Sequence, residues 1–203
     1  MKVVLATGNP GKAAELERLL DGAGIEVVTQ GSLGVEPAPE TACTFVENAL
    51  AKARHASGQT GLPAVADDSG LSVDALGGAP GVYSARYAGE DGDDEANNRR
   101  LLEELARLPE DAPRTATFHC LMVFVRHPED PVPVIRHGAW TGRIVATPRG
   151  GNGFGYDPLF EDPESGLTGG ELTAADKDRR SHRGIAMRAL VADLRREFEL
   201  QEG

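Results

Sequence analysis

The sequence predicts a mixed α/β fold. Short apolar runs with strand character alternate with segments whose leucines recur at helical spacing, and Gly and Pro collect in a few loops between them. In the second half two long strand patterns follow one another across a short turn, which favours an antiparallel pair and argues against a purely parallel, doubly wound sheet. No linker, internal repeat or low-complexity segment interrupts the 203 residues. The expectation is therefore one domain over 1–203, or two intimate lobes, with enough chain for a sizeable core.

The elements follow in order. Residues 2–6 (KVVLA) read as a short buried strand. Asn9 is an N-cap with Pro10 at the first helical position, opening a helix through Leu16, Leu19 and Leu20 to a stop at Gly22 and Gly24. A strand is expected over 25–29, then a loop over 31–43 broken by Pro37 and Pro39. Thr44 and Glu47 have capping-box spacing and open a helix to about His55. A strand over 64–67 runs into an acidic turn, Asp68-Ser69-Gly70, and a second short strand over 71–75. After a glycine-rich loop (77–92), Leu101, Leu102, Leu105 and Leu108 mark a helix over about 94–108. Strands over 114–126 and 132–147 flank a turn at 127–131, a glycine-rich stretch (150–155) leads into YDPLF, and Ser181 caps a final helix through Leu190, Leu194 and Phe198.

Composition bounds the partners. With 21 Lys+Arg against 32 Asp+Glu the formal charge is −11, which disfavours broad attachment to DNA, RNA or an anionic membrane. Much of the acidity is expected on solvated faces such as 90–95 and 103–111. Hydrophobic content of 40% and charged content of 26% fit a globular rather than a disordered chain. Cys43 and Cys120 lack CxxC spacing and read as small buried hydrophobes in a reducing compartment. The apolar run in MKVVLATGNPGK is too short for a signal peptide and no stretch approaches a membrane span, so the expected location is cytoplasmic.

Four loops carry residues suited to chemistry. Thr7-Gly8-Asn9-Pro10-Gly11-Lys12 joins a strand to a helix start, where backbone N–H groups, the helix dipole and the Lys12 ammonium favour an anion. It is not a Walker A motif, because Ala6 and Ala13 stand where Gly and Ser/Thr are needed, and an ordinary capped turn has the same look. Asp67 and Asp68 project to opposite faces of an extended chain, so one of them points into a given site, where it can ligate Mg²⁺ or orient a water. In Gly150–Asp157 the glycine spacing fails the dinucleotide fingerprint. The loop either presents Phe154 or Tyr156 to a planar ring, with Asp157 fixing the loop or a polar edge, or simply holds two core aromatics. Ser181-His182-Arg183, close after Lys177, places donors near a helix start, suited to an anion or an oxygen-rich base edge, though a capped helix with exposed basic residues reads the same way. His55, His119, His127 and His137 lack metal-ligand spacing and Trp140 reads as core. Together the loops describe a Mg²⁺-assisted nucleotide site.

These same residues carry a family resemblance. TGNPGK (7–12), FVENALAKA (45–53), ADDSGLSVDALGGAPGVYSARYAG (66–89), GFGYDPLF (153–160) and SHRG (181–184) are similar to the motifs of the inosine/xanthosine triphosphate pyrophosphatases, in the same order and over nearly the whole chain. The long 66–89 block resembles the bacterial branch in particular. The resemblance implies house-cleaning hydrolysis of ITP, dITP and XTP to the monophosphate and pyrophosphate with Mg²⁺. It also implies an elongated central mixed β-sheet flanked by helices, two lobes around a nucleotide-binding cleft, and a homodimer. By motif, Thr7, Gly8, Asn9, Pro10, Gly11 and Lys12 bind the triphosphate. The resemblance also implies that Asp68 would be the general base and contact Mg²⁺ and that Ser69 would touch substrate, while Glu40 is similar in position to the family's second Mg²⁺ ligand. By the same resemblance Phe154, Gly155, Tyr156, Asp157, Lys177, His182 and Arg183 would hold the nucleotide and its base. Glu47 completes a capping box. Arg183 or His182 would donate to the 6-oxo group that adenine lacks, where a mispaired buried polar group costs about 1–3 kcal/mol. Rival readings are a pyrophosphatase acting on modified pyrimidine nucleotides and a nucleotide-binding sensor without catalysis. A nucleic-acid-binding module is disfavoured by the charge and by the lack of a basic-aromatic stripe.

Overall fold

The computed structural model describes residues 1–20, 24–89 and 93–198, so Gly22 and positions 90–92 of the expected acidic face lie outside the described residues. In chain order the elements are β1 (Lys2–Leu5), α1 (Pro10–Leu20), β2 (Glu26–Thr29), α2 (Phe45–Thr60), β3 (Ala64–Val73), α3 (Asp94–Ala106), β4 (Thr115–Val125), β5 (Val134–Ile144), β6 (Phe160–Glu161), α4 (Ala174–Arg180) and α5 (His182–Phe198). The strands form a six-stranded sheet of order β2-β1-β3-β4-β5-β6. The sheet is mixed: β1 runs parallel to β2 and to β3, while β6 is antiparallel to β5.

The chain divides into two compact units. The first comprises Met1–Asp68, Cys120–Gly138 and the residues from Arg183 on; the second comprises Ser69–His119 and Ala139–His182. The period-2 alternation of a strand explains the layering of the first unit. Val3, Leu5, Val65, Cys120, Met122 and Phe124 pack in one cluster with Leu16 and Leu20 of α1 and Met187, Leu190 and Leu194 of α5. The alternate residues Val4, Ala6, Ala64, Ala66, Val123 and Val125 pack with Ala49, Ala53 and Ala56 of α2. Helices thus cover both faces of these strands, which is why they read as near-continuous apolar runs. Each fully buried leucine contributes roughly 1.5–3 kcal/mol. In the second unit Leu71, Val73, Phe118, Trp140 and Phe160 pack with Leu101 and Leu105 of α3, so Trp140 is core, as expected.

Several elements depart from the sequence reading. No turn interrupts β3 at Asp68-Ser69-Gly70; the strand continues to Val73 and a 3-10 turn follows at Asp74–Leu76. Burial of two adjacent carboxylates in a strand is sustainable because each meets cations on its own face. Helix α2 runs past His55 to Thr60 because Ala56 and Ser57 prolong its buried stripe, and Gly61 (φ +69°) supplies the left-handed stop. The Thr44 cap is present, its Oγ1 accepting from Glu47 N at 3.3 Å and donating to Glu47 Oε2 at 2.5 Å. The glycine-rich stretch at 77–92 contains a 3-10 segment, Gly81–Arg86. Helix α4 was not foreseen: Thr173 caps it by accepting from Asp176 N at 3.1 Å, and Ser181 closes it with a backbone N–H donated to Lys177 O at 2.8 Å. Lys177 therefore lies in the body of a short helix rather than near a helix start. Cys120 is buried, whereas Cys43 is exposed, because its loop lies outside the apolar stripes.

Candidate functional site

Side-chain alternation along β3 sends the two aspartates to different helices. Asp67 shares the face of Val65, covered by α1 and α5, and Asp68 shares the face of Ala64 and Ala66, covered by α2. Asp67 is 1% exposed. Its Oδ2 lies 3.4 Å from Lys12 Nζ and 3.4 Å from Arg183 Nε, with the Cys120 thiol 3.9 Å away. Its Oδ1 is buried with no hydrogen-bond partner. Burial drives the Asp67 carboxyl upward, but Lys12, then Arg183 and Lys52, outweigh it and hold the group well below the ordinary aspartate range. Arg183 is itself 1% exposed and pairs with Glu15 of α1, and these acidic partners overcome burial to keep it firmly cationic.

Asp68 meets a different set. Asn48 Nδ2 donates to its Oδ2 at 3.0 Å, and Lys52 Nζ donates to its Oδ1 at 3.4 Å and to Glu40 Oε1 at 2.9 Å. Asn48 also ties down the loop that carries Glu40, its Oδ1 accepting from Ala42 N at 3.0 Å. Burial raises the Asp68 carboxyl, and the Lys52 and Lys12 charges offset this only in part, because Glu40 adds to the rise. Lys52 moves above its ordinary value: burial lowers it, but Asp68, Asp67 and Glu40 more than compensate. The result is a pair of adjacent carboxylates within β3, one locked as an anion and its neighbour poised to take a proton.

Of the TGNPGK segment, residues 7–9 precede α1 and residues 10–12 form its first turn, with 8–11 exposed. Asn9 caps the helix, its Oδ1 accepting from Lys12 N at 3.0 Å, while Thr7 Oγ1 accepts from Asn9 N at 3.2 Å. A side chain at Gly8 would sit 3.2 Å from the Pro37 ring. No acidic residue occupies the first turn of α1, so the helix start keeps its positive potential.

In the second unit, Phe154, Asp157 and Lys177 form a compact group. Asp157 Oδ2 accepts from Phe154 N at 2.8 Å and from Lys177 Nζ at 2.6 Å, so Asp157 fixes the loop. Lys177 Nζ also stands 4.8 Å from the centre of the Phe154 ring, within cation–π range. Gly153 (φ +76°) is required here, since a Cβ would fall 2.1 Å from Asp157 Oδ2. Tyr156 is a core residue, 4% exposed, with its hydroxyl donating to Ser84 O at 2.8 Å. The His182 ring lies nearly parallel to Phe118, with centroids 4.7 Å apart. Ser69 is half-buried in β3, next to Asp68 in sequence.

The geometry thus joins Asp68 and Glu40 through Lys52, sets Lys12 on Asp67 at the other face of β3, and gathers Phe154, Asp157 and Lys177 in a separate group. Arg183, expected either as a donor to the nucleotide or as an exposed basic residue of a capped helix, is buried and held by Glu15 and Asp67. Sequence reasoning passed over Lys52, Asn48 and Glu15. For Asn48 and Lys52 the signal was present: Asn48, Ala49, Lys52, Ala53 and Ala56 form one helical stripe, and a polar residue on an alanine-lined stripe must find a buried partner.

The donor set is compatible with a hard cation. Glu40 and Asp68 offer oxygen ligands converging on one point, now served by the Lys52 ammonium. Among the described residues no group of three or more His, Cys, Asp or Glu forms a closed metal cage. Mg²⁺ commonly uses only one or two carboxylates and completes its shell with substrate phosphates and water, so these residues fit that ion. No described helix is long and apolar enough to cross a membrane.

Comparison with known proteins follows the same lines. The Ham1 family model matches residues 3–193. A dITP/XTP pyrophosphatase from Halorhodospira halophila (strain DSM 244 / SL1) is 64% identical over 191 residues, covering 94% of this chain and 96% of that protein. Another from Thioalkalivibrio sulfidiphilus (strain HL-EbGR7) is 57% identical over 194 residues, covering 96% and 98%. Among solved structures, a HAM1 protein from Coxiella burnetii superposes with a TM-score of 0.89 at 46% identity, covering 97% of this chain and 99% of that one. The Staphylococcus aureus Ham1 protein gives a TM-score of 0.84 at 36% identity, covering 97% and 100%.

Proposed function

The chain belongs to the Ham1 family, and from that premise we propose that it hydrolyses non-standard purine nucleoside triphosphates (ITP, dITP and XTP) to the monophosphate and pyrophosphate. One observation carries the reading: Asp68 and Glu40 converge on a single cationic point beside the Lys12–Asp67 pair, a constellation suited to water activation next to a polyphosphate. The relatives named dITP/XTP pyrophosphatase supply the substrate class.

In this proposal Thr7–Lys12 and the start of α1 receive the triphosphate through backbone N–H groups and the Lys12 ammonium. Asp68 accepts the proton of the water that attacks the α-phosphorus, and pyrophosphate leaves. Lys52 keeps Asp68 available as an anion until that transfer. Asp68 and Glu40 would hold Mg²⁺, which when bound neutralises charge developing on the phosphate oxygens. Ser69 touches the substrate. Phe154 stacks on the base, with Gly155, Tyr156 and Asp157 shaping its loop and Lys177 holding it from below. His182 donates to the 6-oxo group, and Arg183, whose Nε and Nη1 are committed to Asp67 and Glu15, anchors that end of the site. The chain acts as a single nucleotide-hydrolysing domain over 1–203, with the two units as its lobes. It works as a cytoplasmic homodimer on free nucleotides, with neither nucleic acid nor membrane as partner.

The test is a panel of nucleotides (ITP, dITP, XTP, ATP, GTP, dTTP and UTP) scored for pyrophosphate release with and without Mg²⁺. Release confined to the first three and dependent on Mg²⁺ is expected. Release from none of them, or preferential release from dTTP or UTP, would overturn the assignment.

A further inference from the structure

Asp94 and Asn98 stand one helical turn apart on α3, and both reach the same residue of the glycine loop. Asp94 Oδ2 accepts the Gly155 N–H at 2.6 Å, and Asn98 Nδ2 donates to the Gly155 carbonyl at 2.8 Å. At i and i+4 two side chains share one helix face, which lets a single helix grip both sides of one residue. The grip falls immediately after Phe154, whose own N–H is taken by Asp157 Oδ2 at 2.8 Å. Gly155 has φ +62°, a backbone conformation that glycine tolerates without itself enforcing. The glycines on either side of Phe154 have no side chains to pack, so the course of the backbone there depends on hydrogen bonds from outside. Here those bonds come from Asp157 on one side of Phe154 and from α3 on the other.

The sequence placed Asp94 within a solvated acidic face. It is instead half-buried, while the neighbouring Asp93 does the capping, its Oδ1 accepting from Ala96 N at 2.9 Å. Neither side chain of the α3 pair belongs to the motifs that suggested the nucleotide site. Asn98 keeps its Oδ1 buried without a hydrogen-bond partner while its Nδ2 bonds Gly155 O.

We propose that Asp94 and Asn98 are positioning residues that set the plane of Phe154 for stacking on the purine. This rests on the reading above, in which Phe154 meets the base. Stacking on a misaligned ring weakens substrate and transition state alike, so the loss appears in KM rather than in kcat.

The experiment compares wild type with Asp94→Ala, Asn98→Ala and the conservative Asp94→Asn, measuring KM and kcat for dITP, inhibition by inorganic tripolyphosphate, and the thermal midpoint. Each alanine variant is expected to raise KM about tenfold, in keeping with loss of one hydrogen bond to a charged or amide group, with kcat within about twofold of wild type. Asp94→Asn, which keeps an acceptor oxygen, is expected to recover most of the KM. Tripolyphosphate, having no base to stack, should inhibit all variants alike. An unchanged KM, a fall in kcat with KM unmoved, or weaker tripolyphosphate inhibition would overturn the proposal, as would a KM effect that follows only the thermal midpoint and is not rescued by Asp94→Asn. Wild-type hydrolysis of dITP separates the two levels: its absence sinks the functional reading, whereas its presence with unaffected variants sinks this one alone.

Discussion

Asp67 and Asp68 are covalent neighbours, yet their surroundings push them in opposite directions. The Asp67 carboxyl is depressed by Lys12, Arg183 and Lys52 in spite of burial, while burial and Glu40 raise Asp68 against Lys52. A depressed carboxylate stabilises the fold above its unfolded pKa, and that contribution drains away as pH falls through the folded value. Denaturant unfolding should therefore show a stability loss beginning below about pH 5 that is flattened in Asp67→Asn. For Asp68 the sign reverses: the fold favours the protonated form, so stability falls as pH rises from the unfolded value through the folded one. Asp68→Asn is accordingly expected to unfold at or above the wild-type midpoint at neutral pH while losing turnover by at least about 10²-fold. A variant with near-normal turnover would refute the general-base role. Lys52 bears most of the remaining control. Lys52→Met removes the principal charge lowering Asp68, so the acid limb of the kcat–pH profile should move to higher pH; a limb that stays in place would show that Lys52 does not govern the base.

At the scale of elements, Gly153 is the position least able to change. Its φ of +76° and the 2.1 Å approach of a Cβ to Asp157 Oδ2 mean that Gly153→Ala must displace the Asp157–Lys177 pair and with it the Phe154 N–H bond. A lower thermal midpoint and a raised KM for dITP are expected together, and retention of both would contradict the loop geometry. The elements legible in the sequence were those with a strong period or a cap. Asn9-Pro10 opened α1, Thr44-x-x-Glu47 opened α2, and the leucines of α3 gave its buried face. The continuity of β3 was not legible, because Asp-Asp-Ser-Gly carries turn chemistry, and only the cations arriving from α1, α2 and α5 make an extended course tolerable. Helix α4 escaped notice because seven residues carry too little apolar period to announce a helix. In the site, Lys12, Asp68, Phe154 and Lys177 were named from motifs and Glu40 from its position, whereas Lys52, Asn48 and Asp94 needed the knowledge of which face each helix buries.

For the molecule as a whole, the formal charge of −11 sets the kind of partner rather than the affinity for one small ligand. Glu103, Glu110 and Asp111 are exposed, consistent with an acidic solvated face there, while the cations of interest are drawn inward onto Asp67, Asp68 and Asp157. The protein should pass through a DNA column at moderate salt, and retention there would reopen a nucleic-acid role. The central claim is that Asp68 activates water for attack at the α-phosphorus. It is tested most directly by hydrolysing dITP in ¹⁸O-water with Mg²⁺ and weighing both products by mass spectrometry. The account predicts one ¹⁸O in the monophosphate, none in the pyrophosphate, and no label transfer with Asp68→Asn. Label in the pyrophosphate, or products of diphosphate and phosphate, would contradict it.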